Sequence, residues 1–543
     1  MSKTIISPAG LQGNAISPAG LRVALADGAE LALIDVREGG VFAQSHLLTA
    51  SNIALSVLEL RAAELLPRRD VRIVLVDDGD GLAERAQGVL GRHGYGNLAV
   101  LEGGTPGWGA AGYELFSGTF VPSKAFGEYV EHADDTPRIE PETLKAWQDE
   151  GRDILIVDSR PQDEYKMMSI PGAMDCPGAE LVYRVPGMLL SEKTTVVVNC
   201  AGRTRSIIGA QSLRNAGLSN PVVALKNGTM GWHLAGFEVA RGKSNLAPHP
   251  EPEGLVIAQT LAGQVAQRFG IGFIDEDELD AFRLDDERTT YIYDVRLPED
   301  FNAGHREDSL NAPGGQLVQA TDTYCPVRNA RIVLIDRDGV QAVMTAHWLK
   351  QMGWREVFVL KNGLDVPLVT GRAGARALGL EALGAPAVAV EDLLKQVEAK
   401  SVEVIDVDSS LKYRKSRIPG SWYALRSRLG DCLQRFAPGA RLVFSSSNGV
   451  LARYAAEDAK AMGFETAYLE GGTASWKHAG YRMEQASGDE DPKFLTATED
   501  VWYRPYERNG GVEQAMQQYL TWEVNLLAQL EREPYLRFTT APK

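Results

Sequence analysis

A motif that recurs four times constrains this chain more than any other feature. Leu33-Ile34-Asp35-Val36-Arg37 is echoed by Ile156-Val157-Asp158-Ser159-Arg160, by Ile292-Tyr293-Asp294-Val295-Arg296 and by Val404-Ile405-Asp406-Val407-Asp408. Each reads as a short strand ending on an aspartate, usually with arginine two residues on. A second unit closes each copy: Leu101-Glu102-Gly103-Gly104 with Trp108, Leu225-Lys226-Asn227-Gly228 with Trp232, Leu360-Lys361-Asn362-Gly363, and Leu469-Glu470-Gly471-Gly472 with Trp476. Between the two units lie a strand, a turn and an amphipathic helix ending near Gly94, Gly217, Gly353 or Gly463. Such self-similarity marks a repeated supersecondary unit. Strands alternating with helices predict parallel βαβ units with right-handed crossovers, hence an α/β fold. At 543 residues the chain is too long for one ordinary core.

The repeat fixes a register. Asp35 to Asp158 and Gly94 to Gly217 share one offset; Asp158 to Asp294 and Gly217 to Gly353 share another. In that register Cys200 of the second copy stands opposite Asp77 of the first and Asp336 of the third. In the fourth copy the helix anchor puts Ser446 there, although the aspartate anchor differs by two residues. The loop Ser445-Ser446-Ser447-Asn448-Gly449 holds no cysteine in either register.

The chemistry is therefore sought in Val196-Val197-Val198-Asn199-Cys200-Ala201-Gly202-Arg203-Thr204-Arg205-Ser206. The β-branched run predicts a buried strand, Gly202 a tight turn, and Ile207 to Leu213 a helix. A cysteine between a strand end and a helix start sits where backbone N–H groups converge on the positive end of the helix dipole. Arg203 and Arg205 add positive charge. Each effect favours thiolate over thiol, which makes Cys200 a candidate nucleophile. A buried structural cysteine is the alternative, and the flanking arginines argue against it.

Composition removes several function classes. A net charge of −16 and a pI near 5.1 argue against nucleic-acid binding and against anionic membranes. Cys176, Cys200, Cys325 and Cys432 are far apart, with no CxxC, so neither a disulfide framework nor a zinc site is signalled. The beginning MSKTIISPAG lacks an apolar core, and no apolar run is long enough to span a bilayer. A reducing cytoplasm fits best.

The joints are less regular. The segment from Ser117 to Arg138 carries Phe120, Phe126 and Tyr129 and is expected to pack on a domain surface. Lys243 to Gly254 reads as the main hinge between halves. Near the end, Val512, Met516, Tyr519, Leu520, Val524 and Leu527 recur at helical spacing from about Val512 to Glu533. A helix docked on the body of the protein is favoured over a dimerisation helix, so a homodimer is the secondary expectation.

These residues together resemble the rhodanese family of sulfurtransferases, and the chain looks like a bacterial protein with four tandem rhodanese domains. The marks are Asp158-Ser159-Arg160, Ile170-Pro171-Gly172-Ala173, the loop from Cys200 to Arg205, and Asn227-Gly228 with Gly231-Trp232. Ser169 departs from the family, in which many members carry His before Ile-Pro-Gly. Copy four keeps Arg417-Ile418-Pro419-Gly420, while copies one and three have lost most of this motif. The resemblance implies four small domains, each a parallel sheet with helices on both faces, at 7–116, 137–242, 256–372 and 387–485, followed by a helical extension at 486–543. Domains without the cysteine, often with Asp in its place, are common in multi-domain members, which fits Asp77 and Asp336.

It further implies transfer of a sulfane sulfur from thiosulfate to cyanide or a thiol through a persulfide on Cys200, with no metal and no organic cofactor. The amides of Ala201, Gly202, Thr204 and Ser206 would cradle the anion, with Arg203 and Arg205 supplying charge for the donor. Arg184 is a further candidate for the rim. Asp158 and Arg160 read as a structural pair at the strand end. Mercaptopyruvate-specific members usually carry an uncharged, Gly-rich loop, so the doubly basic loop favours thiosulfate. Two alternatives stand beside this reading: a persulfide carrier that hands sulfur to a protein partner, and a cysteine-dependent phosphatase. The phosphatase loop is one residue longer; its arginine would fall at Ser206.

Overall fold

The computed structural model describes residue 11 and residues 13–371, 376–437, 439–487 and 491–540. Four sheets follow one another along the chain, and each repeat contributes the same five parallel strands. In the second repeat the spatial order is Arg138–Ile139, Val222–Leu225, Thr195–Asn199, Ile154–Asp158 and Met174–Asp175. The third runs Gly272–Ile274, Val357–Leu360, Arg331–Ile335, Thr290–Asp294 and Leu310–Asn311. In the fourth it is Ala387–Val388, Glu465–Leu469, Arg441–Ser445, Glu403–Asp406 and Trp422–Tyr423. The first repeat matches them with Ala15–Ile16, Leu98–Leu101, Ile73–Val76, Leu31–Asp35 and Ser51–Asn52. Helices connect the strands, so the predicted α/β architecture of four tandem domains with a helical C-terminal region is the one observed.

The repeated motifs have physical reasons. Each strand aspartate sits where its sheet ends, and in the first three repeats it grips the arginine two residues on. In the closing unit, Trp108, Trp232 and Trp476 are fully buried, and each indole N–H donates to the carbonyl of Glu114, Glu238 or Arg482 at 2.8–3.0 Å. A buried indole needs such an acceptor. The bridge that holds Ser169 to Ala240 is matched by His46 to Phe116, His305 to Val369 and Arg417 to Glu484. The histidine missing at Ser169 is thus present in the first and third repeats, stacked on Phe42 and Phe301.

The chain divides into two compact units. The first is Met1–Leu21 with Ala32–Gly118 and Ala375–Trp502, which takes the first and fourth repeats. The second is Arg22–Leu31 with Thr119–Gly374 and Tyr503–Lys543, which takes the second and third repeats and the C-terminal helix. Lys243 to Gly254 is therefore not a hinge between halves. Within it, Asn245 and Ala247 exchange backbone hydrogen bonds with Asp175, and the helix Pro252–Phe269 begins at its end. Among the described residues no helix is long and apolar enough to cross a membrane.

Candidate active site at the Cys200 loop

Val196, Val197 and Val198 have no exposed surface, because their strand runs between Val222–Leu225 and Ile154–Asp158. The strand ends on a buried polar network. The Asn199 amide donates to Asp158 Oδ2 at 2.7 Å and to Thr229 Oγ1 at 2.9 Å. Asp158 in turn holds Arg160 through two bonds of 2.8 and 2.7 Å, and Arg160 donates to the Met168 carbonyl at 2.6 Å. The expected Asp158–Arg160 pair is therefore present, fully buried, and anchors the base of the loop.

From that base Cys200 leads through Ala201–Arg203 into the helix Thr204–Asn215. The loop carbonyls are taken up by the closing unit: Thr229 N–H donates to the Cys200 carbonyl at 2.8 Å and Met230 N–H to that of Ala201 at 2.9 Å. Only glycine fits at 228, where a Cβ would lie 2.4 Å from the Cys200 carbonyl oxygen. The amides of Thr204, Arg205 and Ser206 belong to the first helical turn, which leaves them without intrahelical acceptors. Cys200 Sγ lies 3.6 Å from Ser206 Oγ, whose hydroxyl donates to the Arg203 carbonyl at 2.8 Å.

The sister loops display what such amides do. The Asp77 carboxylate accepts from Gly79 N–H at 2.8 Å and Ala83 N–H at 3.0 Å. Asp336 accepts from Gly339 at 2.8 Å and Ala342 at 3.0 Å. Ser446 Oγ accepts from Ala452 at 3.2 Å. Ala83, Ala342 and Ala452 stand where Ser206 stands relative to Cys200. The Cys200 position is thus one that the fold surrounds with anion-binding amides. Ser446 is also confirmed as its counterpart, since Thr473 N–H meets the Ser446 carbonyl as Thr229 meets that of Cys200.

The arginines differ from expectation. Arg203 is not a free cation: it donates to Glu128 at 2.6 and 2.7 Å and to Glu131 at 2.5 Å. Both acids lie on the linker helix Val121–Asp134, which packs so tightly that a Cβ at Gly127 would lie 2.9 Å from Thr204. Arg205 holds Glu164 through bonds of 3.0 and 2.7 Å. Burial raises the Glu164 carboxyl, but Arg205, supported by Arg504 and Arg160, outweighs it and holds it down at about 2. Arg205 itself is raised despite burial, by Glu164 first and the Cys200 sulfur after it. Arg184 is not at the rim. It is buried, donates to Glu180 and to the Ala247 carbonyl at 2.6 Å each, and its charge bears on the Cys176 thiol instead.

Sequence reasoning missed the roof. The C-terminal helix Val512–Leu530 packs on the linker helix and seats Met516 and Leu520 against Met168 and Met230. The docked-helix expectation holds, but its inward face differs. Val524 is 48% exposed, and Glu523 points inward instead at 1%. Glu523 Oε1 accepts from Lys124 at 3.0 Å and from Thr204 at 3.3 Å. A carboxylate at an inward position of an apolar stripe was the available signal.

The other cysteines are held as thiols. Burial pushes Cys176 and Cys325 well up, and Cys432 to about 11. Among the described residues no cluster of His, Cys, Asp and Glu could hold a metal.

The rhodanese-like domain model matches residues 17–111, 140–235, 276–366 and 389–479. A solved thiosulfate sulfurtransferase from Pseudomonas aeruginosa is 41% identical, with a TM-score of 0.93, over 98% of this chain and 100% of that one. An uncharacterised protein of Escherichia coli K12, YibN, is 28% identical over 100 residues, which is 17% of this chain and 70% of that protein.

Proposed function

Because this chain belongs to the rhodanese-like domain family, we propose that it is a thiosulfate sulfurtransferase in which Cys200 alone among the four domains carries the sulfur. The Cys200 thiolate attacks the outer sulfur of thiosulfate. A Cys200–sulfur bond forms, the S–S bond of the donor breaks, and sulfite leaves with the electron pair. The persulfide anion remains on Cys200. Cyanide or a small thiolate then attacks the outer sulfur, and the electron pair returns to Cys200. One observation carries this reading: Cys200 stands where Asp77 and Asp336 each hold an anionic group among loop amides. The carboxylates stand in for the charge that Cys200 bears as thiolate and as persulfide. Preorganised amides aimed at such a charge stabilise it without reorganisation.

The donor is held by the amides of Ala201, Gly202, Thr204 and Ser206 more than by the arginines. Arg203 and Arg205 act through their ion pairs, fixing the loop between the linker helix and Glu164. Asp77, Asp336 and Ser446 mark the first, third and fourth domains as non-catalytic supports.

Steady-state formation of thiocyanate from thiosulfate and cyanide tests the proposal, with mercaptopyruvate as the competing donor. The expected result is turnover with thiosulfate exceeding that with mercaptopyruvate. A preference for mercaptopyruvate would overturn the donor assignment, and turnover retained in Cys200→Ser would overturn the whole reading.

A further inference from the structure

The C-terminal extension closes over the Cys200 loop together with Met168 and Met230 of the second domain. Cys200 is only 2% exposed, and Ala201, Gly202 and Arg203 beside it are buried. The roof is Met516, Leu520 and Glu523 of the helix Val512–Leu530. It bears directly on the loop. A Cβ at residue 202 would lie 3.0 Å from Glu523 Oε2, 2.9 Å from the Met230 methyl and 3.6 Å from Leu520 Cδ2. The roof is tied down at several points: by Glu523 to Lys124 and Thr204, and by Arg504 to Glu164 at 3.5 Å.

The lining is of two kinds. Met168, Met230 and Met516 are unbranched, soft and polarisable, side chains that repack around an irregular guest. They suit a sulfane sulfur, itself soft and weakly hydrated. The tethers are rigid by comparison, since a buried ion pair such as Lys124–Glu523 is costly to break. A small nucleophile needs only movement of methionine side chains. A thiol carried on a folded protein brings the bulk of that protein with it, and admitting it requires the whole helix to leave.

We infer that Met516, Leu520 and Glu523 determine acceptor specificity, admitting small sulfur acceptors to the Cys200 persulfide and excluding protein thiols. The inference rests on the sulfur-transfer reading and narrows it against a persulfide carrier that serves a protein partner. In the transfer itself a small thiolate takes the outer sulfur as a new persulfide, and the Cys200 thiolate is regenerated.

The full-length protein is loaded with thiosulfate, and the Cys200 persulfide is read by mass spectrometry. It is then discharged with cyanide, with dithiothreitol, or with reduced thioredoxin as the protein thiol. Discharge by the small acceptors should exceed that by the protein thiol by roughly a hundredfold. In the double variant Met516→Ala, Leu520→Ala the ratio of protein-thiol to small-thiol discharge should rise at least about tenfold. Equal discharge by both acceptor classes in the unaltered protein, or an unchanged ratio in a folded variant, would overturn the inference and leave sulfur transfer standing. Failure to load would overturn the sulfur-transfer reading and this inference with it. Alkylation of unloaded Cys200 gives a readout independent of sulfur chemistry. Iodoacetamide should react and a polymer-linked maleimide should not; labelling by both at similar rates would contradict the roof.

Discussion

The Cys200 loop and the Asp77 loop are the same piece of backbone put to opposite uses. Both follow a central strand, both lie under a closing glycine, and in both the next helix offers its first amides. In the first domain the carboxylate at the strand end takes up one of these, the Ala83 amide, together with the loop amide of Gly79. In the second it is a cysteine, with no carboxylate to fill them, and in the proposed mechanism they receive the charge of the thiolate and persulfide. The surroundings differ accordingly. Where the second domain has Arg205 paired with Glu164, the register puts Leu82 and Val41 in the first, Gln341 and Asp300 in the third, and Leu451 and Lys412 in the fourth. The first-domain loop is braced differently, by Arg37 on Asp78 at 2.7 Å and by Arg428 on Asp80 at 2.8 Å. The Cys200 loop is held through its own arginines, Arg205 to Glu164 and Arg203 to Glu128 and Glu131 of the linker helix. On the proposed mechanism, what separates the two loops is whether the residue at the strand end fills the amides itself or leaves them to a transferred sulfur.

Converting one loop into the other gives the largest expected effect. Cys200→Asp should abolish thiocyanate formation, a loss of roughly a thousandfold or more in turnover. It should also raise stability by about 1 kcal/mol, since the new carboxylate takes up the amides; a variant less stable than the parent would break the comparison. Removing the brace comes next. Glu164→Ala leaves Arg205 without its carboxylate and should cost about 3 kcal/mol in denaturant unfolding. The sign with pH follows from the depressed Glu164 carboxyl. Its contribution is complete above the ordinary range near 4.5 and is lost as pH falls towards about 2. The variant should therefore lack that part of the parent's acid sensitivity.

A second difference between sister positions sharpens the point. Asn52 and Asn311 pair with the strand aspartates Asp35 and Asp294, and their amides donate to backbone carbonyls. The second domain has Asp175 there, fully buried, with neither side-chain oxygen hydrogen-bonded among the described residues. Burial, with Asp158 adding to it, pushes its carboxyl up to about 7. A raised carboxyl contributes stability below its ordinary range near 3.8, and that contribution is lost as pH rises through about 7. Asp175→Asn should then stabilise the protein by about 2 kcal/mol near pH 8 and by little near pH 4, read as thermal midpoints. A smaller effect is expected at the self-filled loop: Asp77→Ala strands two amides and should cost about 1 to 2 kcal/mol.

Much of this was legible in the chain itself. The strand aspartates, the closing glycines and the tryptophans repeat because each serves a local, short-range role, and local roles leave periodic marks. The same register sets Asp77 and Asp336 opposite Cys200, and the strand-end pair Asp158–Arg160 is readable from its spacing. What was not legible depends on elements remote in sequence. Arg203 and Arg205 look like free cations in a linear reading, because the partners of Arg203 lie on the linker helix and that of Arg205 on a separate helix of the second domain. The stripe on the last helix announces a buried face without saying what it covers, and nothing in it foretold that the loop around Cys200 lies beneath. The pairing of the first repeat with the fourth is a property of surfaces, which periodicity does not encode.

The most direct measurement is mass spectrometry of the cysteine peptides after incubation with thiosulfate. One added sulfur on the Cys200 peptide is predicted, with none on those of Cys176, Cys325 or Cys432, whose thiols are buried and pushed up. An adduct on any of those three, or none on Cys200, would contradict a single nucleophile set in an open anion cradle.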